Sequence, residues 1–467
     1  MSVYAVLRAV LRFVLRVFFR QIEVVGREHL PAGGATIFAG NHQNSLLDPA
    51  LLIAFTPRPV RVAAKDVLFA SPLLRPVLLA LGAVPVARRG NADGKVGEAE
   101  RASQPARVDN AAAFALLAEI LGGGGAMGIF PEGLSHDEAQ LQRLKTGAAR
   151  IALDVAAAQG VAVSIVPTGL VYVRPKRFRS RVLLQYGPPI VVDATRARAA
   201  GGEGHAAAVA LTAELEQALR GLLVNAEDWD TVRVLDCVRR LYQPERLTLE
   251  QRAELMRRFN THYPRVKDLP DVVALFARVR AYVERLERVG LSERDLALRL
   301  GPLDVALRVL RHAALTFVWM PLAIPGMVLF VPVLLGVRIV GPRFSPRRDV
   351  IATTKLVLGL FGSLGLVAAV GAIATAYAGP LAGALAVVAA FVSFHATLRV
   401  LERVTLIGRA LPTLWRLLNL GDELDALRVE HHTLVGLVHG AVERHRPAEL
   451  RPMFAPAPLF DASDHLT

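Results

Sequence analysis

Three apolar stretches in the second half of the chain limit what it can fold into. They cover residues 313–337, 356–378 and 381–398. Each is long enough to span or nearly span a hydrocarbon core of about 30 Å. Hydrophobic residues make up 53% of the 467 residues, which is high for an ordinary soluble protein. The sequence therefore predicts a membrane protein with its membrane region at about 313–400.

The loop after the first apolar stretch is basic. Its one acid is Asp349, and its cations are Arg338, Arg343, Arg347, Arg348 and Lys355. Excess positive charge marks cytoplasmic loops, so we expect this loop and the domain before it to lie on the cytoplasmic side. A stretch with both ends on one side cannot cross once. We therefore expect segment 313–337, which prolines interrupt, to be re-entrant or to lie in one leaflet, with 356–378 and 381–398 as a hairpin. Three full spans are the alternative.

The first twenty residues form a second membrane candidate. Arginines recur every four residues and all other positions are mostly apolar, with the arginines at Arg8, Arg12, Arg16 and Arg20. This pattern predicts an interfacial amphipathic helix over 1–20 whose arginines reach the headgroups. A buried helix of the following domain is the alternative. The net charge of +14 fits an anionic membrane better than nucleic acid, because no basic run is interleaved with aromatic residues.

Between these membrane candidates the pattern changes twice. Residues 21–226 alternate strand and helix patterns, which is typical of an α/β domain. Residues 227–312 are charged and helical, as is the expected cytoplasmic tail, 401–467. Residues 89–109 resemble a surface insertion.

The single cysteine, Cys237, excludes an internal disulfide and makes a cysteine-based metal site implausible.

One polar segment follows an apolar strand pattern at residues 35–39. It contains His42 and, six positions later, Asp48. Residues on one helix face are three or four apart, so these two can meet only if the chain between them turns. The carboxylate could then hold one imidazole nitrogen and leave the other free to take a proton. Taken alone, the segment is better explained as a polar turn with a capping aspartate.

Three further blocks follow along the chain. Residues 82–88 predict a strand that ends at Arg88, whose guanidinium could grip a phosphate. Residues 128–135 present Glu132 at a Pro-Glu-Gly turn, where its carboxylate could bind a hydroxyl. Residues 165–170 form an apolar strand that could line a pocket. A surface arginine, an ordinary turn and plain core are the alternatives for these blocks taken singly.

The order of the four blocks resembles the glycerolipid acyltransferase family over roughly residues 21–225. This family makes lysophosphatidate and phosphatidate from glycerol phosphates and acyl thioesters. Most members have four residues between the His and the Asp, whereas this chain has five, as does the branch that resembles fungal glycerol-3-phosphate/dihydroxyacetone-phosphate acyltransferases. Similar runs occur at 167–172, 178–181, 186–190, 241–244 and 348–353.

The resemblance implies a fold and a set of residue roles. The fold is an α/β acyltransferase domain with a central mixed sheet flanked by helices, followed by a helical region and C-terminal membrane helices. His42 would be the general base and Asp48 its orienting partner. Arg88 would hold the acceptor phosphate. The other implied substrate-binding residues are Glu132, Gly133, Ser135, Lys65 and Lys145, and the pocket-lining residues are Pro131, Val166 and Pro167.

The implied reaction needs no metal or prosthetic group, and its co-substrate would be acyl-CoA or acyl-carrier protein. The acceptor could be glycerol 3-phosphate, a related glycerol phosphate, or a lysophospholipid such as 1-acylglycerol 3-phosphate. Membrane lipids are the other expected partners, and nucleic acid is not one. The Ala- and Arg-rich composition suggests a bacterial inner membrane.

Two functions of other classes compete with this one. The first is a metal-dependent hydrolase that uses His42, Asp48, Glu132 and His136, whose spacing follows no usual metal pattern. The second is a membrane scaffold or transporter with an inert α/β domain. Against transport, the apolar stretches carry no ionisable residue except His395.

Overall fold

The computed structural model describes residues 2–70, 72, 74–86, 111–138, 140–199, 204–223, 229–243, 247–289, 291, 302–345 and 347–448. The predicted insertion at 89–109, Arg88 and residues 449–467 of the expected tail lie outside the described residues. The chain folds into two compact units. The first combines Met1–Val224 with Ser345–Thr354, and the second combines Asn225–Phe344 with Lys355–Thr467.

The first unit is built on one mixed sheet, as predicted. Its strands are β1 (Phe19–Val25), β2 (Ala35–Gly40), β3 (Arg61–Lys65), β4 (Val84–Val86), β5 (Ala126–Ile129), β6 (Val163–Tyr172), β7 (Ser180–Tyr186) and β8 (Ile190–Val192). Their order is β1-β7-β6-β2-β5-β3-β4, with β8 also paired to β6. β6 runs antiparallel to β7 and β8, and the other pairs are parallel.

Helices cover the sheet of the first unit. They are α1 (Val3–Phe18), α2 (Leu47–Phe55), α3 (Leu74–Ala80), α4 (Ala111–Gly122), α5 (Gly147–Gln159), α6 (Ala194–Ala199) and α7 (Gly204–Arg220). All six residues of β2 are buried, as expected for a central strand in contact with structure on both faces. Ile37 of β2 shares one core with Leu117 of α4 and Leu211 of α7. This core holds the strand that leads to His42.

Parallel strands bring the predicted blocks to one edge of the sheet. β2, β3, β4 and β5 all run in the same direction, so their carboxyl ends lie along that edge. His42 follows β2, Glu132 follows β5, and Lys65 is the last residue of β3. The side chain of Lys65 lies outside the described part of the structure, and so does all of Arg88, two residues beyond β4.

Helix α1 is amphipathic, but its arginines are not all turned to solvent. Arg12 donates to the carbonyl of Ala54 at 2.7 Å, and Arg8 donates to that of Thr56. These carbonyls lie at the C-terminal end of α2, where helix carbonyls lack partners within the helix. The apolar face is exposed instead, at Val3, Val6, Val10 and Phe13. The expectation that the whole arginine stripe reaches outward is therefore wrong for Arg8 and Arg12.

The second unit is helical over its described residues. Its helices are α8 (Trp229–Tyr242), α9 (Leu249–Val266), α10 (Pro270–Val289), α11 (Pro302–Phe344), α12 (Ile351–Ala378), α13 (Pro380–Asn419) and α14 (Gly421–His445), with the first residues of α12 assigned to the first unit. A core of α8, α10 and α14 contains Leu241, Val279 and Leu434. Three helical segments have the length and hydropathy needed to cross a membrane, namely Leu303–Phe344, Arg348–Ala378 and Pro380–Arg416.

The prolines do not break α11, which is one helix across 313–337. A hydroxyl from α13 repairs part of the hydrogen bonding there. Gly326 N–H donates to Ser393 Oγ at 2.6 Å, and the same hydroxyl donates to the carbonyl of Leu322 at 2.7 Å. Such repair by a neighbouring helix is what makes proline tolerable within a membrane helix. The path that 313–337 takes through a bilayer stays a prediction.

Candidate active site

His42 and Asp48 meet across a tight turn. β2 ends at Gly40, α2 begins at Leu47, and Ser45 between them adopts a left-handed φ of 47°. His42 Nδ1 lies 2.7 Å from Asp48 Oδ2, and the Asp48 side chain is fully buried. The N–H of Asn44 donates to the same carboxylate oxygen at 2.7 Å. The five intervening residues therefore bring the two side chains together, as the spacing argument predicted.

The other oxygen of Asp48 has a partner that the sequence did not suggest. Tyr172, the last residue of β6, donates its hydroxyl to Asp48 Oδ1 at 2.5 Å. Burial raises the pKa of Tyr172 well above its ordinary value of 10, and the charge of Asp48 raises it further. The phenol is therefore a permanent donor in the physiological range. Asp48 receives bonds from His42, Asn44 and Tyr172, which suits a buried carboxylate that must stay charged.

The imidazole of His42 is held on one side and open on the other. Phe130 stacks against it with ring centroids 4.5 Å apart and planes inclined by 22°. Its side chain is 16% exposed. Among the residues that the structure describes, none makes a hydrogen bond to Nε2. A ring that is bonded to a carboxylate through Nδ1 and free at Nε2 can accept a proton from a hydroxyl placed there.

Glu132 is fixed to the backbone of His42. Its Oε1 accepts a hydrogen bond from the His42 N–H at 2.7 Å. Its Oε2 accepts one from the Gln142 N–H at 2.9 Å and contacts His136 Nε2. Glu132 is almost fully buried, and Gly133 makes the turn possible with a φ of 73°. The carboxylate therefore holds the backbone of His42 in place, while the predicted contact with an acceptor hydroxyl stays a prediction.

Lys145 supplies a positive charge at the same turn. Its N–H donates to the carbonyl of Pro131 at 2.8 Å, and its side chain lies over Gly133. A Cβ at Gly133 would come within 2.5 Å of Lys145 Nζ, so glycine leaves room for the ammonium. Lys145 is exposed, which suits a group that binds an anion from solution. Its predicted role in substrate binding is compatible with this position.

The remaining predicted site residues are buried near the same sheet edge. Ser135 is buried, with its hydroxyl bonded to Asp349. Val166 and Pro167 lie in β6 opposite Phe38 and Ala39 of β2 and are buried there, and Pro131 is buried too. The pocket-lining role of these three apolar residues stays a prediction.

The four residues of the hydrolase hypothesis form two separate pairs. His42 pairs with Asp48, and His136 pairs with Glu132. Over the described ranges, no three His, Cys, Asp or Glu side chains are grouped in a way that could hold a metal ion. The arrangement instead matches a histidine base with an orienting carboxylate.

Comparison with known families agrees with this geometry. The family model described as "Acyltransferase" matches residues 21–171, which include both pairs. The model described as "Glycerol-3-phosphate acyltransferase 2 C-terminal domain" matches residues 234–450. Residues 21–171 therefore carry an acyltransferase domain. The second match extends the resemblance beyond the α/β domain.

Curated relatives of the acyltransferase come from yeast. Glycerol-3-phosphate O-acyltransferase 2 of Saccharomyces cerevisiae is 32% identical over 272 residues, which are 54% of this chain and 37% of the relative. Glycerol-3-phosphate O-acyltransferase 1 of the same organism is 31% identical over 283 residues, 55% of this chain and 36% of the relative. The chain therefore spans little more than a third of the length of these relatives.

A solved structure is also similar to part of the acyltransferase. It is the 1-acyl-sn-glycerophosphate (LPA) acyltransferase PlsC of Thermotoga maritima, with 20% identity and a TM-score of 0.32. The match covers 46% of this chain and 77% of that one.

Sequence reasoning missed several residues of the acyltransferase site. Tyr172 and Asp349 belong to runs that resemble the fungal branch, at 167–172 and 348–353, but the resemblance assigned them no role. His136 entered only as a possible metal ligand, although it stands four residues after Glu132 and contacts it. Gln142 contributes through its backbone N–H, for which a sequence has no signal.

Proposed function

We propose that this acyltransferase moves a fatty acyl group from an acyl thioester to a hydroxyl of glycerol 3-phosphate or a related glycerol phosphate. The observation that carries the proposal is the His42–Asp48 pair, 2.7 Å apart, with Nε2 not bonded to any of the described residues and the ring reachable from solvent. The names of the yeast relatives support glycerol 3-phosphate as the acceptor.

In the proposed reaction, His42 Nε2 takes the proton of the acceptor hydroxyl. The oxygen attacks the thioester carbonyl, a C–O bond forms, and the C–S bond breaks. The proton then passes from the imidazolium to the departing thiolate, so His42 ends as it began. Asp48 stabilises the imidazolium through Nδ1, and no acyl-enzyme is formed.

The acceptor phosphate needs a cation near this base. Lys145 is the described cation at the Glu132–Gly133 turn, and its exposed ammonium suits a phosphate better than a buried group would. We assign the phosphate to Lys145 together with Arg88, which stands two residues after β4 in the sequence. The donor is acyl-CoA or acyl-carrier protein, since both present the same thioester.

The first unit would act at a membrane surface. The exposed face of α1, with Val3, Val6, Val10 and Phe13, suits insertion into the headgroup boundary, and membrane lipids are the proposed partner. The basic segment Ser345–Thr354 belongs to the same unit as His42. Excess positive charge then supports a cytoplasmic position for both. The curated relatives are fungal and give the predicted bacterial inner membrane no support.

The test is acyl transfer by the purified full-length chain. Labelled acyl-CoA is offered with glycerol 3-phosphate, dihydroxyacetone phosphate or 1-acylglycerol 3-phosphate. We expect label in the product of glycerol 3-phosphate, and loss of that product in His42→Ala. Transfer only to 1-acylglycerol 3-phosphate would overturn the proposed acceptor. Equal transfer by wild type and His42→Ala would overturn the mechanism and favour a scaffold.

A further inference from the structure

The segment Ser345–Thr354 folds with the first unit, although it joins the apolar helix α11 to α12 and includes the first four residues of α12. Asp349 and Thr353 are buried in this position. The hydroxyls of Ser345 and Thr354 lie 2.9 Å apart and close the segment on itself. About 210 residues separate this segment from the motif it contacts, so chain connectivity does not explain the contact.

Two charged side chains of the segment form hydrogen bonds with Ser135. Asp349 Oδ2 accepts a hydrogen bond from the Ser135 hydroxyl. Arg347 Nη2 donates to the carbonyl of Ser135 at 2.6 Å and to Asp349 Oδ2 at 2.7 Å, while Arg347 Nε donates to Asp349 Oδ1 at 3.0 Å. One planar guanidinium therefore satisfies the buried carboxylate and the serine backbone together, which lysine could not do.

Ser135 directly precedes His136, a residue whose backbone is hydrogen-bonded to that of His42. The N–H of the next residue, His136, donates to the carbonyl of His42 at 3.1 Å. Three residues before Ser135, Glu132 accepts from the N–H of His42. The turn from Glu132 to His136 thus holds the backbone of His42 from both its N–H and its carbonyl. Whatever fixes Ser135 fixes this turn.

A second contact joins the segment to the turn between His42 and Asp48. The Thr353 hydroxyl lies 3.4 Å from the carbonyl of Asn44, whose own N–H donates to Asp48. This contact is long for a hydrogen bond between oxygens and adds packing more than binding strength. The segment therefore contacts two turns: the Glu132–His136 turn, and the turn between His42 and Asp48.

We propose that Arg347 and Asp349 are positioning residues for acyl transfer, which hold the Glu132–His136 turn and through it His42. The inference rests on the proposed function for the reaction that His42 performs. These two roles connect the run 348–353 to the active site. The α/β domain would then need the segment Ser345–Thr354, which joins α11 to the start of α12, for full activity. Neither residue touches substrate in this account.

The test compares Arg347→Gln with Arg348→Gln in the full-length protein. Both variants remove one positive charge from the same segment, but Arg348 is exposed. We expect Arg347→Gln and Asp349→Asn each to lower kcat about tenfold with KM for glycerol 3-phosphate changed less than about threefold, since the substrate contacts remain. Arg348→Gln should stay within about twofold of wild type.

A double variant tests the route through Ser135. Because Asp349→Ala already leaves the Ser135 hydroxyl without its carboxylate partner, adding Ser135→Ala to Asp349→Ala should slow the enzyme no further. Multiplied losses would show that Asp349 acts by another route and would overturn the proposal.

Amide hydrogen exchange gives a readout that does not need activity. Arg347→Gln should exchange faster in peptides that cover residues 130–138 and 345–354, with the rest of the first unit unchanged. Faster exchange throughout the unit would mean a general structural role and would overturn the proposal, as would wild-type kcat and exchange in Arg347→Gln. If Arg347→Gln does not fold, Arg347→Lys is measured by the same criteria. An inactive wild type with a protected turn would reject the proposed reaction but support the hold on Ser135.

Discussion

The carboxylate of Glu132 accepts a hydrogen bond from the backbone N–H of His42 at 2.7 Å, across two neighbouring strands of the sheet. It ties the end of β5 to the end of β2. A histidine base is useful only if its ring stays within reach of the hydroxyl it deprotonates, and this bond fixes the backbone from which the ring projects.

Glu132→Gln should therefore lower kcat more than it raises KM. The amide cannot accept bonds on both of its terminal atoms, so either the His42 N–H or the Gln142 N–H loses its acceptor. We expect kcat to fall about tenfold or more with KM for glycerol 3-phosphate within about threefold. Lys145→Gln gives the opposite pattern, a raised KM with kcat nearly kept, because Lys145 is assigned to the phosphate. Steady-state kinetics on both variants checks this. A raised KM with unchanged kcat in Glu132→Gln would show that Glu132 contacts the acceptor instead.

Tyr172→Phe tests the hydroxyl that supports Asp48. A hydrogen bond to a charged group contributes roughly 1.5–3 kcal/mol, so its loss should slow turnover by about tenfold or more if Asp48 then rotates away from His42. Tyr186→Phe is the matched control. It also removes a buried hydroxyl, which bonds to Thr56 at 2.8 Å. We expect the control to lose stability but to keep kcat. Equal kcat in Tyr172→Phe and wild type would show that Asp48 needs no support from β6.

His431 in the second unit should make stability depend on pH. It is buried, with Nδ1 3.0 Å from the Tyr282 hydroxyl. Burial lowers the pKa of His431 from 6.5 to about 4, and His432 adds to the effect. The unfolded chain then binds a proton more readily than the folded chain, so stability is complete above pH 6.5 and falls as the pH drops toward 4. The loss between pH 7.5 and pH 5 should be about 2 kcal/mol.

Thermal melting of the detergent-solubilised chain at these two pH values measures the effect. His431→Gln removes the titrating group, so its Tm should fall less between pH 7.5 and pH 5 than that of wild type. His432→Gln, at the exposed neighbouring position, should keep most of the wild-type dependence. An identical fall in wild type and His431→Gln would assign the pH dependence to other groups.

The exposed face of α1 should enter the lipid when the protein is reconstituted. Phe13 is 60% exposed and Val191, at the edge of the sheet, is 51% exposed. A dye that reports polarity is attached to a cysteine at either position, with Cys237 replaced by serine. In anionic vesicles we expect a blue shift of the emission for Phe13→Cys and little change for Val191→Cys. The same emission from both positions would contradict a membrane surface formed by α1.

The His42–Asp48 pair could be predicted only in part, because the local pattern was ambiguous. Six positions of spacing meant that the two side chains could meet only across a turn, and the Asn and Ser residues between them suit such a turn. The order of the four blocks, and not this segment alone, favoured a base with its carboxylate partner. The sheet could be predicted because apolar runs such as residues 35–39 and 165–170 have a clear strand pattern.

The supporting contacts could not be predicted because they join distant parts of the chain. The predicted strand ended at residue 170, yet β6 continues to Tyr172 and so reaches Asp48. The partner of Ser135 comes from position 349, and no local pattern relates the two. The predicted outward direction of the Arg8 and Arg12 side chains on α1 was also wrong, because they donate to carbonyls at the end of another helix.

The most direct measurement compares His42→Ala with His205→Ala in the transfer of labelled acyl groups from acyl-CoA to glycerol 3-phosphate. His205 is an exposed histidine on α7, so its removal is a control for the substitution itself. General-base catalysis is worth about 10²–10⁴ in rate, so His42→Ala should lose at least about a hundredfold while His205→Ala keeps the wild-type rate. A His42→Ala enzyme within about tenfold of wild type would contradict the assignment of His42 as the base.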